Sequence, residues 1–420
     1  MSTITLLLTQ KAGMHRLFCM HYYPFSAILG QKRLKAALLA CAVDPSIGGV
    51  LIRGEKGTAK TTAVRALAPL LPEIEVVGDC PYSCDPADGD TIHESCAARI
   101  RAGEEIEHSR RPVRLVELPL NATEDRLAGT IHIEKTLQRG ERSFEPGLLA
   151  AANRGILYID EVNLLEDHLV DLVLDAAASG VCRVAREGFN LEHPARFLLV
   201  GTMNPEEGEL RPQFLDRFAL SVTVHGENTP EMRKAIVRRR IAFENDPKAF
   251  IKLWDDEEQR LRELVRSARK LLPLIELREE IWDLLVGFSS KAGVQGHRSD
   301  IVMAKCASAL AALRGKSSVD REELLEAARF ALPHRIAGTI EETPETINGR
   351  LETILAEEQE EKDQKEKIES PSLRKAGLEY GMVPEEDFFD YPEDFQVPGA
   401  AAAGSLVFDF LEKKKRPSMK

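Results

Sequence analysis

Tryptophan and long apolar runs are scarce in this sequence. The chain of 420 residues has 2 Trp, and aromatic residues make up 6% of it. No run approaches the roughly 18 consecutive apolar residues that a membrane-spanning helix needs. The apolar stretch at residues 4–8 is also too short for the core of a signal peptide. We therefore expect a soluble protein.

The sequence also lacks an excess of basic residues and a pattern of paired cysteines. It has 56 Lys and Arg against 68 Asp and Glu, which gives a formal net charge of -12. This balance disfavours non-specific binding to nucleic acid or to anionic membranes. The 7 Cys are an odd number, and they indicate reduced thiols or metal ligands in a cytoplasmic protein. The length allows two or three domains.

Short apolar runs alternate with helical periods in the first half of the chain. They predict strands at residues 50–52, 113–118, 155–159, 197–201 and 220–224. A first helix is predicted at residues 31–41, and the alternation favours a mostly parallel five-stranded sheet covered on both faces. Residues 127–144 alternate apolar and polar side chains around Gly140, which predicts a β-hairpin insertion at residues 120–147.

The pattern changes near residue 229, where strand signals stop. Helices are predicted at residues 231–243, 257–272, 278–289, 300–313 and 321–331. Asp320 and Glu323 form a predicted capping box at the start of the last helix. We expect an α/β domain at residues 22–228 and an all-helical domain at residues 229–340.

Both ends of the chain lie outside these predicted domains. Residues 1–21 show no clear period and form an N-terminal extension. Residues 341–420 are rich in Glu, Lys, Gln and Pro, and such a composition buries too little apolar surface to offset chain entropy. This acidic tail is predicted to be largely disordered. Its aromatic pairs, such as Phe388 with Phe389, leave short docking elements as the alternative.

A phosphate-binding motif lies between the first strand and the next predicted helix. Its residues are Gly54, Glu55, Lys56, Gly57, Thr58, Ala59, Lys60 and Thr61, with Thr62 following. A glycine-rich turn that opens a helix points successive N–H groups at one phosphate. Lys60 is expected to contact the β and γ phosphates, and the Thr61 hydroxyl is expected to bind Mg²⁺. Ala59 replaces the usual second Gly, so a positive φ there would be strained.

Polar residues at the ends of the later strands complete the predicted site for ATP hydrolysis. Asp160 and Glu161 follow the third strand, where Asp160 can hold hydrated Mg²⁺ and Glu161 can polarise water. Asn204 follows the fourth strand, and its amide can contact the γ-phosphate or the attacking water, although an Asn-Pro pair also forms turns. Arg217 precedes the fifth strand, where it can face the nucleotide of a neighbouring subunit.

Four potential metal ligands cluster at residues 80–96, in a stretch rich in Pro, Asp and Gly. Cys80, Cys84, His93 and Cys96 have a spacing that can form a closed tetrahedral zinc site. Redox-responsive thiols are one alternative. Buried cysteines without a ligand are another, because single Cys residues commonly pack as small apolar groups.

Several stretches of this sequence resemble the AAA+ ATPases, and within them the ATPase I subunits of magnesium chelatase. They are YPFSAILGQ at 23–31, LPLNATED at 118–125, FEPGLL at 144–149, ANRG at 152–155, DEVNLL at 160–165, NPEEG at 204–208 and LDRF at 215–218. The resemblance extends over residues 22–335. It implies an AAA+ P-loop fold in which the helical domain is the lid.

The resemblance also implies roles for three residues and a set of partners. Asn204 matches the sensor-1 position, Arg217 the arginine finger that acts in trans, and Arg298 the sensor-2 arginine of the lid. A family member would form a ring, expected to be hexameric, with ATP and Mg²⁺ at its subunit interfaces. It would work with a D-type AAA+ partner that has an integrin-like domain, and with a large catalytic chelatase subunit.

The function implied is that of an ATPase motor, which drives insertion of Mg²⁺ into protoporphyrin IX by the separate catalytic subunit. The complex as a whole is a ligase that forms nitrogen–metal bonds. An ATPase subunit of a cobaltochelatase and a MoxR-like chaperone that remodels a metalloprotein are the alternatives. The absence of an integrin-like metal motif near the C-terminus favours an I-type subunit. A helicase is disfavoured by the acidic balance.

Overall fold

The computed structural model describes residues 21–88, 92–131, 144–186, 189–208, 210–294 and 296–336, together with Gly349 and Thr353. Its strands are β1 (Val50–Gly54), β2 (Ile74–Val77), β3 (His108–Arg111), β4 (Leu115–Leu118), β5 (Gly129–Ile131), β6 (Phe144–Pro146), β7 (Ile156–Ile159), β8 (Val181–Arg186), β9 (Phe189–Pro194), β10 (Leu198–Met203) and β11 (Leu220–Val224). Helices separate most of the strands, and the regular elements that follow β11 in the described residues are helices.

The α-helices divide into those of the α/β part and those that follow it. The first group is α1 (Lys32–Val43), α2 (Lys60–Leu67), α3 (Glu94–Arg101), α4 (Glu124–Ala128), α5 (Leu148–Ala152), α6 (Asp167–Ser179) and α7 (Pro212–Leu215). The second group is α8 (Pro230–Asn245), α9 (Pro247–Leu253), α10 (Asp255–Leu271), α11 (Glu279–Lys291), α12 (Arg298–Leu313) and α13 (Arg321–Ala331).

Five parallel strands form the central sheet, in the order β11-β1-β10-β7-β4. Val50 of β1, for example, pairs with Val200 on one side and with Leu220 on the other. All of β7 and β10 is buried, which explains why these strands have almost continuous apolar sequences. The predicted parallel sheet is therefore confirmed. Because the five strands run in the same direction, their carboxyl ends meet at one edge.

Three two-stranded sheets lie outside the central sheet. The β5–β6 pair is antiparallel and confirms the base of the predicted hairpin, while residues 132–143 lie outside the described part. The β2–β3 and β8–β9 pairs were not predicted. Charged side chains pair across both, as in Arg110 with Glu75 and Arg183 with Glu192. Strands are usually recognised in a sequence by alternating apolar and polar side chains. In these two pairs charged side chains form cross-strand contacts, so that pattern is absent.

The helices after β11 pack against α1, which is buried from Leu34 to Val43. One hydrophobic core contains residues of α1, β1, α10 and α12. Arg269 of α10 donates two hydrogen bonds, of 2.9 and 2.7 Å, to the carbonyl oxygen of Ala42 at the end of α1. The division into domains at residue 229 stays a prediction, since the described residues on both sides of it share this core.

The predicted helices after residue 229 are confirmed, and so is the capping box. The backbone N–H of Asp320 donates to Glu323 Oε2 at 3.1 Å. Helix α9 was not predicted because Asp246-Pro247 reads as a break, yet Asp246 Oδ1 caps α9 by accepting from the Ala249 N–H. None of the described helices is long and apolar enough to cross a membrane.

The predictions for the two ends of the chain fall almost entirely outside the described residues. Residues 1–20 of the predicted extension are outside them. Of residues 341–420, the structure describes Gly349 and Thr353. The acidic tail and the N-terminal extension therefore stay predictions.

Candidate nucleotide site

A cleft of about 490 Å³ lies at the edge of the sheet where β1, β7 and β10 end. It is lined by the segment that precedes α1, by the loop between β1 and α2 with the first turn of α2, by residues that follow β7, β10 and β11, and by residues of α8. Residues 56–62 of the predicted phosphate-binding loop contribute, together with Asp160, Glu161 and Asn204. The structure thus brings most of the predicted site residues to one cleft.

The phosphate-binding loop has three residues with positive φ. Gly54 and Gly57 have φ of 155° and 82°. A Cβ on Gly54 would lie 2.3 Å from the carbonyl oxygen of Val224, so only glycine fits there. Ala59 has φ 63° and ψ 19°, in the left-handed region, directly before α2. That conformation costs an L-residue about 1–2 kcal/mol, so the strain anticipated for Ala59 is present.

Lys60 is folded against the loop that precedes it. Its Nζ donates to the carbonyl oxygens of Glu55, at 2.7 Å, and of Gly54. These two residues therefore contact the lysine through their backbone. Partial burial lowers the pKa of Lys60, although Asp160 and Glu161 oppose this shift. The amine is a cation at the mouth of the turn, where a phosphate would be bound.

Asp160 is held at the end of β7 by hydroxyl groups on two neighbouring strands. Thr202 of β10 donates to its Oδ1 at 2.5 Å, and the Tyr158 hydroxyl lies 2.7 Å from the same oxygen. The Tyr158 hydroxyl is also 3.0 Å from Thr61 Oγ1. Burial raises the pKa of Tyr158, so this residue stays a neutral hydrogen-bonding group. Sequence reasoning missed both Thr202 and Tyr158.

The Thr61 hydroxyl and the Asp160 carboxylate form a donor set that fits Mg²⁺. Thr61 Oγ1 and Asp160 Oδ2 are 3.5 Å apart, and both residues line the cleft. Hard oxygen ligands of this kind are those that Mg²⁺ prefers, usually with bound water and substrate phosphates. Thr61 is the second residue of α2, and Asp160 directly follows β7.

Glu161 has a strained backbone in the cleft wall. Its φ of 53° and ψ of 55° are left-handed, and its N–H donates to Thr202 Oγ1 at 3.0 Å. Non-glycine residues in this region occur most often at functional sites. Thr202 thus contacts both acids, one through the side chain and the other through the backbone.

Asn204 follows β10 and has a structural contact as well as a place in the cleft. Its Oδ1 accepts a hydrogen bond of 3.3 Å from the backbone N–H of Glu206, within the turn Pro205–Glu207. Lys56 pairs with Glu207 of the same turn at 2.5 Å. The turn expected of an Asn-Pro pair is therefore present, and Asn204 also lines the cleft.

Apolar side chains also line part of the cleft. Tyr23, Ile28 and Leu29 come from the segment before α1, and Ile236 comes from α8, with Arg240 beside it. A pocket of this character suits a flat base such as adenine. Residues 23–31 contributed to the family resemblance, but the sequence did not predict a role for them in the site. The sequence of α8 likewise did not predict that it lines the cleft.

Arg217 and Arg298 are not among the residues that line this cleft. Arg217 forms an ion pair with Asp175 of α6. Arg298 donates to the carbonyl oxygen of Arg217 at 2.7 Å, and its Nη1 lies 3.9 Å from Asp216 Oδ2. The two arginines are therefore neighbours at a second location on the chain.

Arg335 holds the segment that contains Arg217, and sequence reasoning missed it. Its side chain is 2% exposed and forms an ion pair with Asp216 at 3.2 Å. It also donates to the carbonyl oxygens of Phe218, at 2.7 Å, and Ala219, at 2.9 Å. Burial lowers the pKa of Arg335 to about 10, so it stays charged at neutral pH. These contacts fix the backbone on both sides of Arg217.

Replacing Thr202 with Val is expected to reduce ATP turnover. Val has the same shape but lacks the donor to Asp160 and the acceptor for the Glu161 N–H. An unsatisfied buried group costs about 1–3 kcal/mol, so turnover should fall about 5- to 160-fold and the Mg²⁺ requirement should rise. Steady-state phosphate release at graded Mg²⁺ measures both effects. Thr202→Ser should restore activity.

The matched control for this substitution is Thr223→Val, at an exposed position of β11. It should leave turnover and the Mg²⁺ requirement unchanged. Equal turnover in Thr202→Val and in the parent chain would show that the hydroxyl does not position the two acids.

The four predicted metal ligands also meet in the structure, away from the cleft. The ligand atoms of Cys80, Cys84, His93 and Cys96 all lie within 4.8 Å of one another. The three cysteines are buried. The clustering expected from their spacing is therefore present.

Two protein-family models match the chain. The one described as "Magnesium chelatase, subunit ChlI" matches residues 130–213, which include Asp160, Glu161 and Asn204. The one described as "AAA lid domain" matches residues 286–357, which include Arg298.

Similar proteins cover most of the chain. A magnesium-chelatase subunit ChlI homolog from Methanocaldococcus jannaschii is 48% identical over 337 residues, which are 80% of this chain and 92% of that protein. The magnesium-chelatase subunit ChlI of a Nostoc species is 48% identical over 75% of this chain and 84% of that protein. A chain in a structure of the complex between subunits BchI and BchD of magnesium chelatase is 44% identical, with a TM-score of 0.44, over 79% of this chain and 99% of that one. On the extent and identity of the sequence matches, this chain belongs to the magnesium-chelatase subunit ChlI family of AAA+ ATPases.

Proposed function

We propose that this chain is the ATP-hydrolysing motor subunit of a magnesium chelatase, in which a separate catalytic subunit inserts Mg²⁺ into protoporphyrin IX. The observation that carries the proposal is the 48% identity to the Methanocaldococcus jannaschii relative over 92% of its length. The convergence of Lys60, Thr61, Asp160 and Glu161 on one cleft supports the ATPase activity.

Each cleft residue is assigned the role that its chemistry and position support. Lys60 and the backbone amides of the loop from Gly54 to Thr62 bind the β and γ phosphates. Thr61 and Asp160 hold Mg²⁺, which supplies neutralising charge to the phosphates. Glu161 orients and polarises the attacking water, and the Asn204 amide contacts the γ-phosphate or that water.

The active assembly is a ring, proposed as a hexamer, in which a neighbour completes each nucleotide site. The position of Arg217 and Arg298 outside the cleft of their own chain supports this arrangement. A head-to-tail interface that closes into a ring places one face of each subunit against the cleft of the next. Residues 229–340 serve as the lid domain. The other partners proposed from the family are a D-type AAA+ subunit and the large catalytic subunit.

The proposal is tested by tetrapyrrole metallation in the presence of the partner subunits and ATP. Mg²⁺ and Co²⁺ are offered in turn as the inserted metal, with Mg²⁺-ATP present throughout. We expect this chain to stimulate Mg²⁺ insertion into protoporphyrin IX, and we expect Lys60→Ala to abolish the stimulation. Stimulation of Co²⁺ insertion into a corrin alone would assign the chain to a cobaltochelatase. The absence of stimulation with any cognate large subunit would contradict the chelatase proposal and favour a chaperone.

A further inference from the structure

We propose that Cys80, Cys84, His93 and Cys96 form a structural Zn²⁺ site, which is independent of the nucleotide cleft. His93 Nδ1 lies 3.5 Å from Cys80 Sγ and 3.2 Å from Cys84 Sγ. Tetrahedral zinc with Zn–S of about 2.3 Å and Zn–N of about 2.0–2.1 Å places sulfur and nitrogen ligands about 3.5 Å apart. The ligand atoms are therefore already near the spacing that the metal requires.

The burial of the cluster indicates a structural site. Cys80, Cys84 and Cys96 are 6%, 1% and 2% exposed. Four protein ligands fill the coordination shell of tetrahedral zinc, whereas a catalytic zinc keeps one position for water. The backbone N–H of His93 donates to Cys84 Sγ at 3.3 Å, which is the kind of outer hydrogen bond that stabilises a metal-bound thiolate.

Packing alone accounts poorly for this arrangement. A thiol that packs as an apolar group has no need of a ring nitrogen, yet the His93 nitrogen faces two sulfur atoms. The other described cysteines, Cys41, Cys182 and Cys306, are buried without belonging to such a group. Zinc binding releases the thiol protons, so three thiolates and a neutral imidazole surround the ion.

The cysteine loop, of which residues 78–88 and 92–96 are described, belongs to a small hydrophobic cluster that also includes one residue each from β2 and α5. Val77, Tyr82 and Ala150 are the buried apolar residues that pack with its three cysteines. A stretch with so little apolar burial needs another source of order, and a structural metal supplies it in many small units. The spacer between Cys84 and His93 is polar, and residues 89–91 of it lie outside the described part.

The metal would order a loop that contacts the residues just before β7, the strand that Asp160 and Glu161 follow. Asn153 Nδ2 donates to the carbonyl oxygen of Tyr82 at 2.7 Å, and Arg154 forms an ion pair with Asp85 at 2.7 Å. Asn153 and Arg154 lie just before β7, and Asp160 directly follows its last residue. The Tyr82 ring also contacts His93 and His193, with ring centroids 4.5 and 5.1 Å apart. Zinc therefore stabilises the backbone at Asn153 and Arg154, just before β7.

Metal analysis of the full chain, purified without added metal or chelator, tests the site. We expect about one zinc ion per chain in the parent protein and background zinc in Cys84→Ala. Cys306→Ala, which removes a thiol that is 0% exposed, is the matched control and should retain the zinc. A strong chelator should lower the melting temperature of the parent and the control.

A second measurement does not depend on whether Cys84→Ala folds. Parent chain expressed with Co²⁺ should show the visible bands of tetrahedral cobalt and the near-ultraviolet band of thiolate-to-cobalt charge transfer. A folded parent chain that contains no zinc and shows neither band with Co²⁺ would overturn the proposal. Recovery of Cys80, Cys84 or Cys96 in a disulfide that reductant reverses would overturn it in favour of a redox function.

Discussion

Replacing Glu161 with Gln is expected to lower ATP turnover by about 10²- to 10⁴-fold, the usual contribution of a positioned general base. Gln keeps the size and hydrogen-bonding capacity of the side chain but cannot accept the proton of the attacking water. The proposed mechanism assigns phosphate and Mg²⁺ binding to Lys60, Thr61 and Asp160, so the affinity for Mg²⁺-ATP should remain close to that of the parent. Phosphate release and binding of a fluorescent ATP analogue measure the two quantities separately.

Two control variants separate this effect from general damage. Glu166→Gln makes the same change at an exposed residue just before α6, and it should leave turnover unchanged. Lys60→Ala should lose turnover because nucleotide binding is lost, and the binding assay distinguishes that cause. Turnover in Glu161→Gln within about twofold of the parent would assign the base to another residue.

The central sheet and the residues that line the phosphate end of the cleft were predictable because short, local sequence patterns indicate them. Apolar runs at 155–159 and 197–201 marked buried strands, and residues at the ends of parallel strands must share an edge. The sequence therefore predicts that Asp160 and Asn204 lie near the phosphate-binding loop. The β2–β3 and β8–β9 pairs were missed because charged side chains form their cross-strand contacts.

The supporting residues of the site could not be predicted because their contacts join distant parts of the chain. Thr202 contacts Asp160 across 42 positions, and Arg335 contacts Asp216 across 119. A buried threonine or an arginine shortly after α13 has no sequence signature of such a role. The left-handed conformation of Ala59 could not be predicted for the same reason. Alanine lacks the conformational freedom of glycine, so the fold around the loop determines its φ.

Replacing Arg217 with Ala is expected to reduce ATP turnover by about 10³-fold or more, the effect usual for an arginine that stabilises the transferring phosphoryl group. The same subunit should still bind Mg²⁺-ATP and assemble, because Arg217 is not part of its own cleft. Its guanidinium pairs with the exposed Asp175, and an exposed ion pair of this kind contributes little to stability. Arg298→Ala should also reduce turnover, by about 10- to 150-fold, because it removes a charged hydrogen bond of about 1.5–3 kcal/mol to the Arg217 backbone.

Mixing two inactive variants shows whether Arg217 acts across a subunit interface. Arg217→Ala subunits retain an intact cleft, and Lys60→Ala subunits retain an intact Arg217. Random co-assembly at equal amounts pairs an intact cleft with an intact arginine at roughly a quarter of the interfaces, so about that fraction of turnover should return. Arg211→Ala, which removes an exposed arginine paired with Asp167, is the matched control and should stay active alone.

The mixing result also decides between a ring and an independent subunit. If Arg217 acted on the nucleotide of its own chain, a mixture of the two variants would remain as inactive as either one. Sedimentation with Mg²⁺-ATP supplies the second criterion, since full activity in a monomer would contradict the ring. Recovery of turnover, together with sedimentation as an oligomer, would instead show that each active site includes Arg217 of a neighbouring subunit. Arg217 lies in the segment that Arg335 holds in place.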